Sequence, residues 1–293
     1  MVKGFVKYMR FERNMSQKTV AAYEEDLGSF ETFFTGLDSQ LTWETVDQDV
    51  IRAWMEDMMD KGNTASSVCR RLSALRTFYR YCLRRGMVER NPAHLVKAPK
   101  KAKLLPQFVK ESEMDRLIDD ERLWSDSYSD FLARTIIIML YETGMRRGEL
   151  IGLDDTDIDF VQCTVKVTGK RDKQRVIPFG EELKTTLAEY ATKRNATVTK
   201  ATPGFFLDKR GRRVTENQVS KMVRESLSKV TTMKKRSPHV LRHSYATAML
   251  NNGSGIESVK KLLGHQSLSS TEIYTHTTFE QLKRVYKQAH PRA

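Results

Sequence analysis

At 293 residues the chain is longer than one small core organises, which sets an expectation of two domains. Its 39% hydrophobic and 30% charged content fits a folded rather than a disordered protein, and its longest apolar run, residues 135–141, is too short to span a bilayer. A formal charge of +13 points to a polyanionic partner, and nucleic acid is favoured over an anionic membrane because no exposed apolar-and-basic helix stands out.

The amino terminus mixes Lys3, Lys7, Arg10, Glu12 and Arg13 with its apolar residues, which is not a signal-peptide pattern. Residues 16–34 predict a helix capped by Ser16, with Val20, Tyr23, Leu27, Phe30 and Phe34 as its buried stripe. Residues 46–59 predict a second, with Val50, Trp54, Met55 and Met58 inward, and residues 64–84 a third, with Val68, Leu72, Leu75, Tyr79 and Cys82 inward. Acids dominate up to Asp60, and then the balance turns basic as far as Lys100. Arg70, Arg76, Arg80 and Arg84 lie largely off the third stripe with no acidic partners nearby, so they and Arg71 are expected to meet DNA phosphates. Residues 97–108 form a basic linker, and Lys100 and Lys103 are placed to follow a DNA backbone. The expected domains are therefore residues 1–96 and 109–293. Cys69, Cys82 and Cys163 show neither pairing logic nor metal-type spacing, which favours a reducing, cytoplasmic setting without disulfides.

In the second domain residues 111–118 and 128–142 predict helices. Residues 164–167 and 175–178 predict a β-hairpin turning through residues 169–172, and residues 205–207 a third strand. Short helices follow residue 215, so the fold expected is mainly α with a small β-sheet.

Four of the six histidines fall between His239 and His276. Ser237-Pro238 suits a helix start, with a capping serine and proline in the first turn, and His239 and Arg242 then share one face near an anion-favouring terminus. His243 either joins that face or packs inward. The bland alternative is a helix with core histidines and a surface arginine; another is a tri-histidine zinc site of His239, His243 and His265. Against zinc, Val240 stands where a metalloprotease places glutamate, and Arg242 would sit beside the metal. Gly144 is placed to end the long helix, leaving Arg146 and Arg147 on the loop beyond it, where two guanidiniums suit the oxygens of a pentavalent phosphate and Glu149 orients one of them. Lys170 at the hairpin tip is placed to protonate a leaving alkoxide. Taken singly, each of these groups is ordinary.

Together they resemble the tyrosine recombinase and integrase family, and within it the Xer branch. The family's order of Arg, Lys, His-x-x-Arg, His and Tyr is matched by Arg146 in Thr-Gly-Met-Arg-Arg-Gly-Glu-Leu, Lys170 in Thr-Gly-Lys-Arg-Asp-Lys, His239 and Arg242 in Ser-Pro-His-Val-Leu-Arg-His-Ser, His265 in Leu-Leu-Gly-His-Gln-Ser, and Tyr274 in Thr-Glu-Ile-Tyr-Thr-His. Gly148, Arg171, Tyr245 and Lys260-Lys261 depart from common family residues without removing a catalytic group. The resemblance implies an amino-terminal helical, SAM-like core-binding bundle and an α+β catalytic domain whose last helix docks on a neighbouring protomer. It implies Tyr274 as nucleophile, His239 as proton acceptor, Lys170 as proton donor, and Arg146, Arg242 and His265 on the phosphate oxygens, without metal or other cofactor. The implied partners are a double-stranded DNA recombination site, a homo- or hetero-tetramer with a related recombinase and a DNA translocase, at the nucleoid. The implied role is Xer-type chromosome dimer resolution through a four-way junction. The alternatives are a mobile-element integrase, a type IB topoisomerase and an inactive DNA-binding regulator.

Overall fold

The computed structural model describes residues 1–100, 107–169, 172–264 and 276–292, and the chain divides into two compact units, Met1–Leu104 and Leu105–Ala293. Helix α1 (Val2–Lys7) continues into a π-helical turn, Tyr8–Glu12, and is followed by α2 (Gln17–Leu37), α3 (Gln48–Asp60) and α4 (Ala65–Arg84). The three long helices begin where a side-chain oxygen satisfies a free backbone N–H: Ser16 accepts from Thr19, Asp47 from Asp49 and Val50, and Thr64 from Ser67.

Their apolar stripes meet in an aromatic core in which Trp43 packs on Phe78 with ring centroids 4.6 Å apart, and the Tyr79 hydroxyl donates to the Trp43 carbonyl at 3.1 Å. The α4 stripe is buried as expected. On α3 the inward position is Ile51, whereas Val50 is part-buried at the rim of the core. Val50 belongs to the capped first turn, and the face centred on Trp54 places Ile51 one turn before it. The described end of the expected linker stays with this unit, since the Cys69 thiol donates to the Pro99 carbonyl at 3.4 Å.

Near the start of the second unit the Val109 N–H donates to Ser244 Oγ at 2.8 Å. It contains α5 (Glu111–Asp119), α6 (Tyr128–Thr143), α7 (Arg147–Gly152), β1 (Ile158–Asp159), β2 (Thr164–Thr168), β3 (Gln174–Pro178), α8 (Glu181–Thr197), α9 (Glu216–Ser228), α10 (Pro238–Asn251), α11 (Ile256–Leu263) and α12 (His276–Ala289). Helix α6 is buried on every side from Thr135 to Thr143, and α8, α9 and α10 pack around it. That is why residues 135–141 read as a continuous apolar run rather than a stripe.

The three strands form an antiparallel sheet in the order β1-β2-β3, with Val165 opposite both Ile158 and Ile177. The third strand is thus Ile158–Asp159 and not residues 205–207. Phe205, Phe206 and Leu207 are all buried, without the alternation a half-buried strand shows; both phenylalanines pack on Tyr190, and Leu207 makes a single bridge to Arg213. On helix α12, Leu282, Tyr286 and Ala289 cluster with Tyr245, Met249, Val259, Leu262 and Leu263.

Trp54 is almost fully buried and touches Phe30 at a ring distance of 4.8 Å. Trp54→Ala is expected to destabilise the first unit by about 3–5 kcal/mol, read as a lower urea midpoint of its unfolding transition.

Candidate active site

The site is built where α6 stops. Gly144 ends that helix in the left-handed region at φ +59°, and a Cβ there would lie 2.5 Å from Tyr245 Cδ1 and 2.9 Å from Leu263 Cδ2, so glycine is required twice over. The chain then starts α7 at once, so Arg146 and Arg147 stand at the N-cap and first residue of a short helix rather than on a loop. Glu149 makes this turn possible, because its Oε2 accepts the Arg146 N–H at 2.7 Å and its Oε1 accepts Arg146 Nη1 at 2.8 Å.

The two adjacent arginines part company there. Arg147 turns to α9, donating to Glu216 Oε2 and Ser220 Oγ, both at 2.6 Å. Arg146 reaches the end of α11, donating to the Gly264 carbonyl at 3.0 Å. A pair of neighbouring arginines gripping one phosphate is therefore not what the fold builds, since Glu216 and Ser220 hold Arg147 elsewhere.

Arg242 instead comes in from α10. It is buried and donates to the Gly144 carbonyl and the Leu263 carbonyl, each at 2.7 Å. Burial first, and then the nearby Arg146 charge, press its pKa down to about 10. It remains protonated at neutral pH, a buried cation whose two hydrogen-bond acceptors are both uncharged. Glu149 is buried as well; burial pushes its carboxyl pKa up, but the hydrogen bonds and charges of Arg175 and Arg146 outweigh this and hold it below the ordinary value.

His239 is exposed on the first turn of α10. Partial desolvation and then the charges of Arg242, Arg147, His243 and Lys235 lower its pKa, so the neutral imidazole, the form that accepts a proton, persists to lower pH than usual. His243 is exposed too, on the solvent side rather than inward. Pro238 begins the helix as expected, but Ser237 does not cap it: its hydroxyl is buried without a hydrogen-bond partner. Among the described residues no three His, Cys, Asp or Glu side chains come together as metal donors. Lys170, Arg171, His265 and Tyr274 lie outside the described residues. Strands β2 and β3 close onto the Lys170 hairpin through a Gly169 N–H bond to the Lys173 carbonyl at 2.7 Å.

One buried residue of this centre was not singled out in the sequence. Arg175 on β3 forms a two-pronged pair with Glu149, at 2.7 and 2.9 Å, and donates Nε to the Leu262 carbonyl at 3.0 Å. The available signal was its parity: Arg175 and Ile177 share the buried face of β3, so a charged residue stood at an inward strand position.

The basic residues of α4 divide into two groups. Arg70 pairs with both oxygens of buried Asp26, Arg71 lies 3.5 Å from the same carboxylate, and Arg76 ties down the Ala93 and Val96 carbonyls at 3.1 and 2.6 Å. The absence of acidic partners read from the local sequence does not hold, because Asp26 arrives from α2. Arg84 bonds the Tyr8 hydroxyl at 2.9 Å and lies over its ring. Arg80 and Lys100 are exposed. Lys103 lies outside the described residues.

The phage integrase family model matches residues 107–281, and the model of the phage integrase N-terminal SAM-like domain matches residues 2–86. The chain belongs to the phage integrase family, the tyrosine recombinases. It is 36% identical over 314 residues to the tyrosine recombinase XerC of Chlorobaculum tepidum, covering 99% of this chain and 94% of that one. Its fold resembles that of the Tn1549 transposon integrase in complex with transposon right end DNA, with a TM-score of 0.76 at 17% identity over 97% of this chain and 98% of the other. It also resembles XerH site-specific recombinase bound to a palindromic difH substrate, with a TM-score of 0.72 at 20% identity over 97% and 83% of the two chains. The recombinase is thus mainly helical with a small antiparallel sheet, a SAM-like amino-terminal domain and a carboxy-terminal catalytic domain.

The division among the α4 arginines has a measurable consequence. Arg80→Ala is expected to weaken duplex binding across unrelated sequences and to reduce the salt dependence of binding by about one phosphate contact, read from affinities over a salt series. Arg76→Ala is expected instead to lower the melting temperature, because it strands two backbone carbonyls.

Proposed function

We propose that this recombinase cuts and rejoins double-stranded DNA at a specific site by passing a phosphodiester to Tyr274 and back. The observation that carries the reading is the Arg242 guanidinium, buried beside Arg146 with neutral carbonyls as its acceptors. Such a cation is prepared for an anion, and the non-bridging oxygens of a phosphate are the anion that two convergent guanidiniums suit. In the reaction the Tyr274 oxygen attacks phosphorus and gives its proton to His239. The bond from phosphorus to the 5′ oxygen breaks, and Lys170 protonates the departing oxygen. Arg146 and Arg242 meet the charge on the equatorial oxygens, with His265 on a non-bridging oxygen. The 3′-phosphotyrosine retains the energy of the diester, so attack by a 5′-hydroxyl from a second duplex completes the exchange without nucleotide hydrolysis.

Full-length similarity to XerC favours Xer-type exchange through a four-way junction, acting in chromosome dimer resolution, over mobile-element integration. On this reading a tetramer of recombinases, homo- or heteromeric, assembles on nucleoid DNA in the cytoplasm, with a DNA translocase as a regulatory partner. Residues 1–96 and 109–293 are then two DNA-contacting domains joined by the basic linker 97–108. Arg80, Arg84, Lys100 and Lys103 serve the duplex backbone, whereas Arg70, Arg71 and Arg76 are held by Asp26 and by backbone carbonyls and serve the fold. Among the described residues no helix is long and apolar enough to cross a membrane.

The test uses a nicked duplex isolated from random-sequence DNA by its affinity for the protein. In EDTA, the wild type is expected to give a covalent protein–DNA band on denaturing gels and Tyr274→Phe none. A band surviving in Tyr274→Phe would name the wrong nucleophile. The same assay across pH addresses His239. A base must be neutral to accept a proton, and its lowered pKa keeps it neutral further into acid. The acid limb of the cleavage rate is therefore expected to have its midpoint below 6.5, the ordinary histidine value.

A further inference from the structure

The end of α11 presents three successive carbonyls, and each takes a different guanidinium. Leu262 accepts from Arg175 Nε at 3.0 Å, Leu263 from Arg242 Nη2 at 2.7 Å, and Gly264 from Arg146 Nη2 at 3.0 Å. Two of these arginines form the phosphate clamp of the proposed reaction. The third, as buried as Arg242, differs in that all three of its guanidinium nitrogens are already engaged, two of them by a carboxylate. Its hydrogen bonds go to the α11 carbonyl and to both oxygens of Glu149, which also holds the Arg146 N–H and Nη1.

We propose that Arg175 is a positioning residue of the recombination reaction, fixing the last turn of α11 and the Glu149 carboxylate in the register that Arg146, Arg242 and the residue after Gly264 require. The inference rests on the reading of the site given above. Three features support it. Arg175 joins β3, which continues from the hairpin carrying Lys170, to the turn that leads into His265, so one side chain links two stretches of chain that the chemistry must bring into register. It also shares Glu149 with Arg146. Without Arg175 the carboxylate would keep Arg146 as its one ion-pair partner among the described residues and draw that guanidinium toward itself rather than leaving it for a phosphate. Finally, Arg175 passes close to Gly264. A Cβ on Gly264, which is left-handed at φ +65°, would be 3.2 Å from Arg175 Cδ, Nε and Nη1, so a side chain there would press on the Arg175 guanidinium.

The test compares wild type, Arg175→Met and Arg175→Lys as full chains on the selected nicked duplex, measuring affinity by gel shift and the rate of covalent adduct formation at saturating protein. Arg175→Met is expected to bind with wild-type affinity and to form adduct about 100-fold more slowly, the scale of a displacement of about 1 Å at reacting groups. Arg175→Lys keeps the charge but not the planar fork, so it is expected to recover thermal stability without recovering the rate. Wild-type adduct rates in folded Arg175→Met overturn the inference, and so does a defect confined to affinity. Should Arg175→Met fail to fold, a full rate in Arg175→Lys overturns it equally. No adduct from wild type on a duplex it binds overturns the underlying reading of the site, and the inference with it; that outcome is distinct from a normal wild-type rate matched by the variants.

Discussion

Positive charge gathered around one helix end, two of its three guanidiniums buried, is the constraint around which the catalytic unit is organised. Arg146, Arg175 and Arg242 converge on the end of α11, and Glu149 is the carboxylate that bonds two of them. Taking guanidiniums out of water is costly, and the offset comes from dipoles already fixed in the fold: the Gly144 carbonyl at the end of α6 and three carbonyls at the end of α11. Helix ends leave such carbonyls free, and cations are favoured beside them. The arrangement supplies hydrogen-bond acceptors without supplying full negative charge, so the centre keeps its electropositive excess for a phosphate. A second buried carboxylate would stabilise the resting protein more and leave less attraction for substrate.

In the first unit the same residue type serves a different end. Arg70 and Arg71 belong to a buried carboxylate, and Arg76 braces the chain where it leaves the bundle. Arg80 and Lys100 remain exposed to solvent. A cationic run on one helix therefore does not act as a single surface. Asp26 is nearly inaccessible, and each arginine that closes over it is partly committed to the fold.

Elements with a strong local cause were legible in the sequence. The α2 cap, the α4 stripe, the buried run of α6, the Gly144 stop and the β2-β3 hairpin each follow from side-chain oxygens, periodicity or glycine at a particular place. What escaped was non-local. Asp26 lies on a different helix from Arg70, so the sequence neighbourhood of α4 gave no hint of the pair. Residues 205–207 have strand-like composition, yet Tyr190 uses them as packing surface. Ser237 has the right type for a cap, but its hydroxyl points into a buried place without a partner. Of the candidate site, Arg146, His239 and Arg242 emerged from motif order, whereas the separation of Arg147 from Arg146 depended on Glu216 and Ser220 across the fold. Arg175 was readable from strand parity, because a half-buried strand seldom turns a charge inward without a buried counter-charge.

The carbonyl end of α11 also ties the site to the end of the chain. Leu262 and Leu263 offer their carbonyls to Arg175 and Arg242 while their side chains pack in the cluster that includes Leu282, Tyr286 and Ala289 of α12. Tyr245, which closes on Gly144 from α10, lies in that same cluster and against His290. His290 is buried among Tyr141, Tyr245 and Tyr286, and burial lowers its pKa to about 4, so it packs there as a neutral ring. Beyond it Arg292 pairs with Asp115, Asp119 and Glu182. Close-packed interiors transmit displacement rather than absorbing it. The position of α12 and the position of the carbonyls that hold the arginines are therefore mechanically one variable, read from opposite sides of the same two leucines.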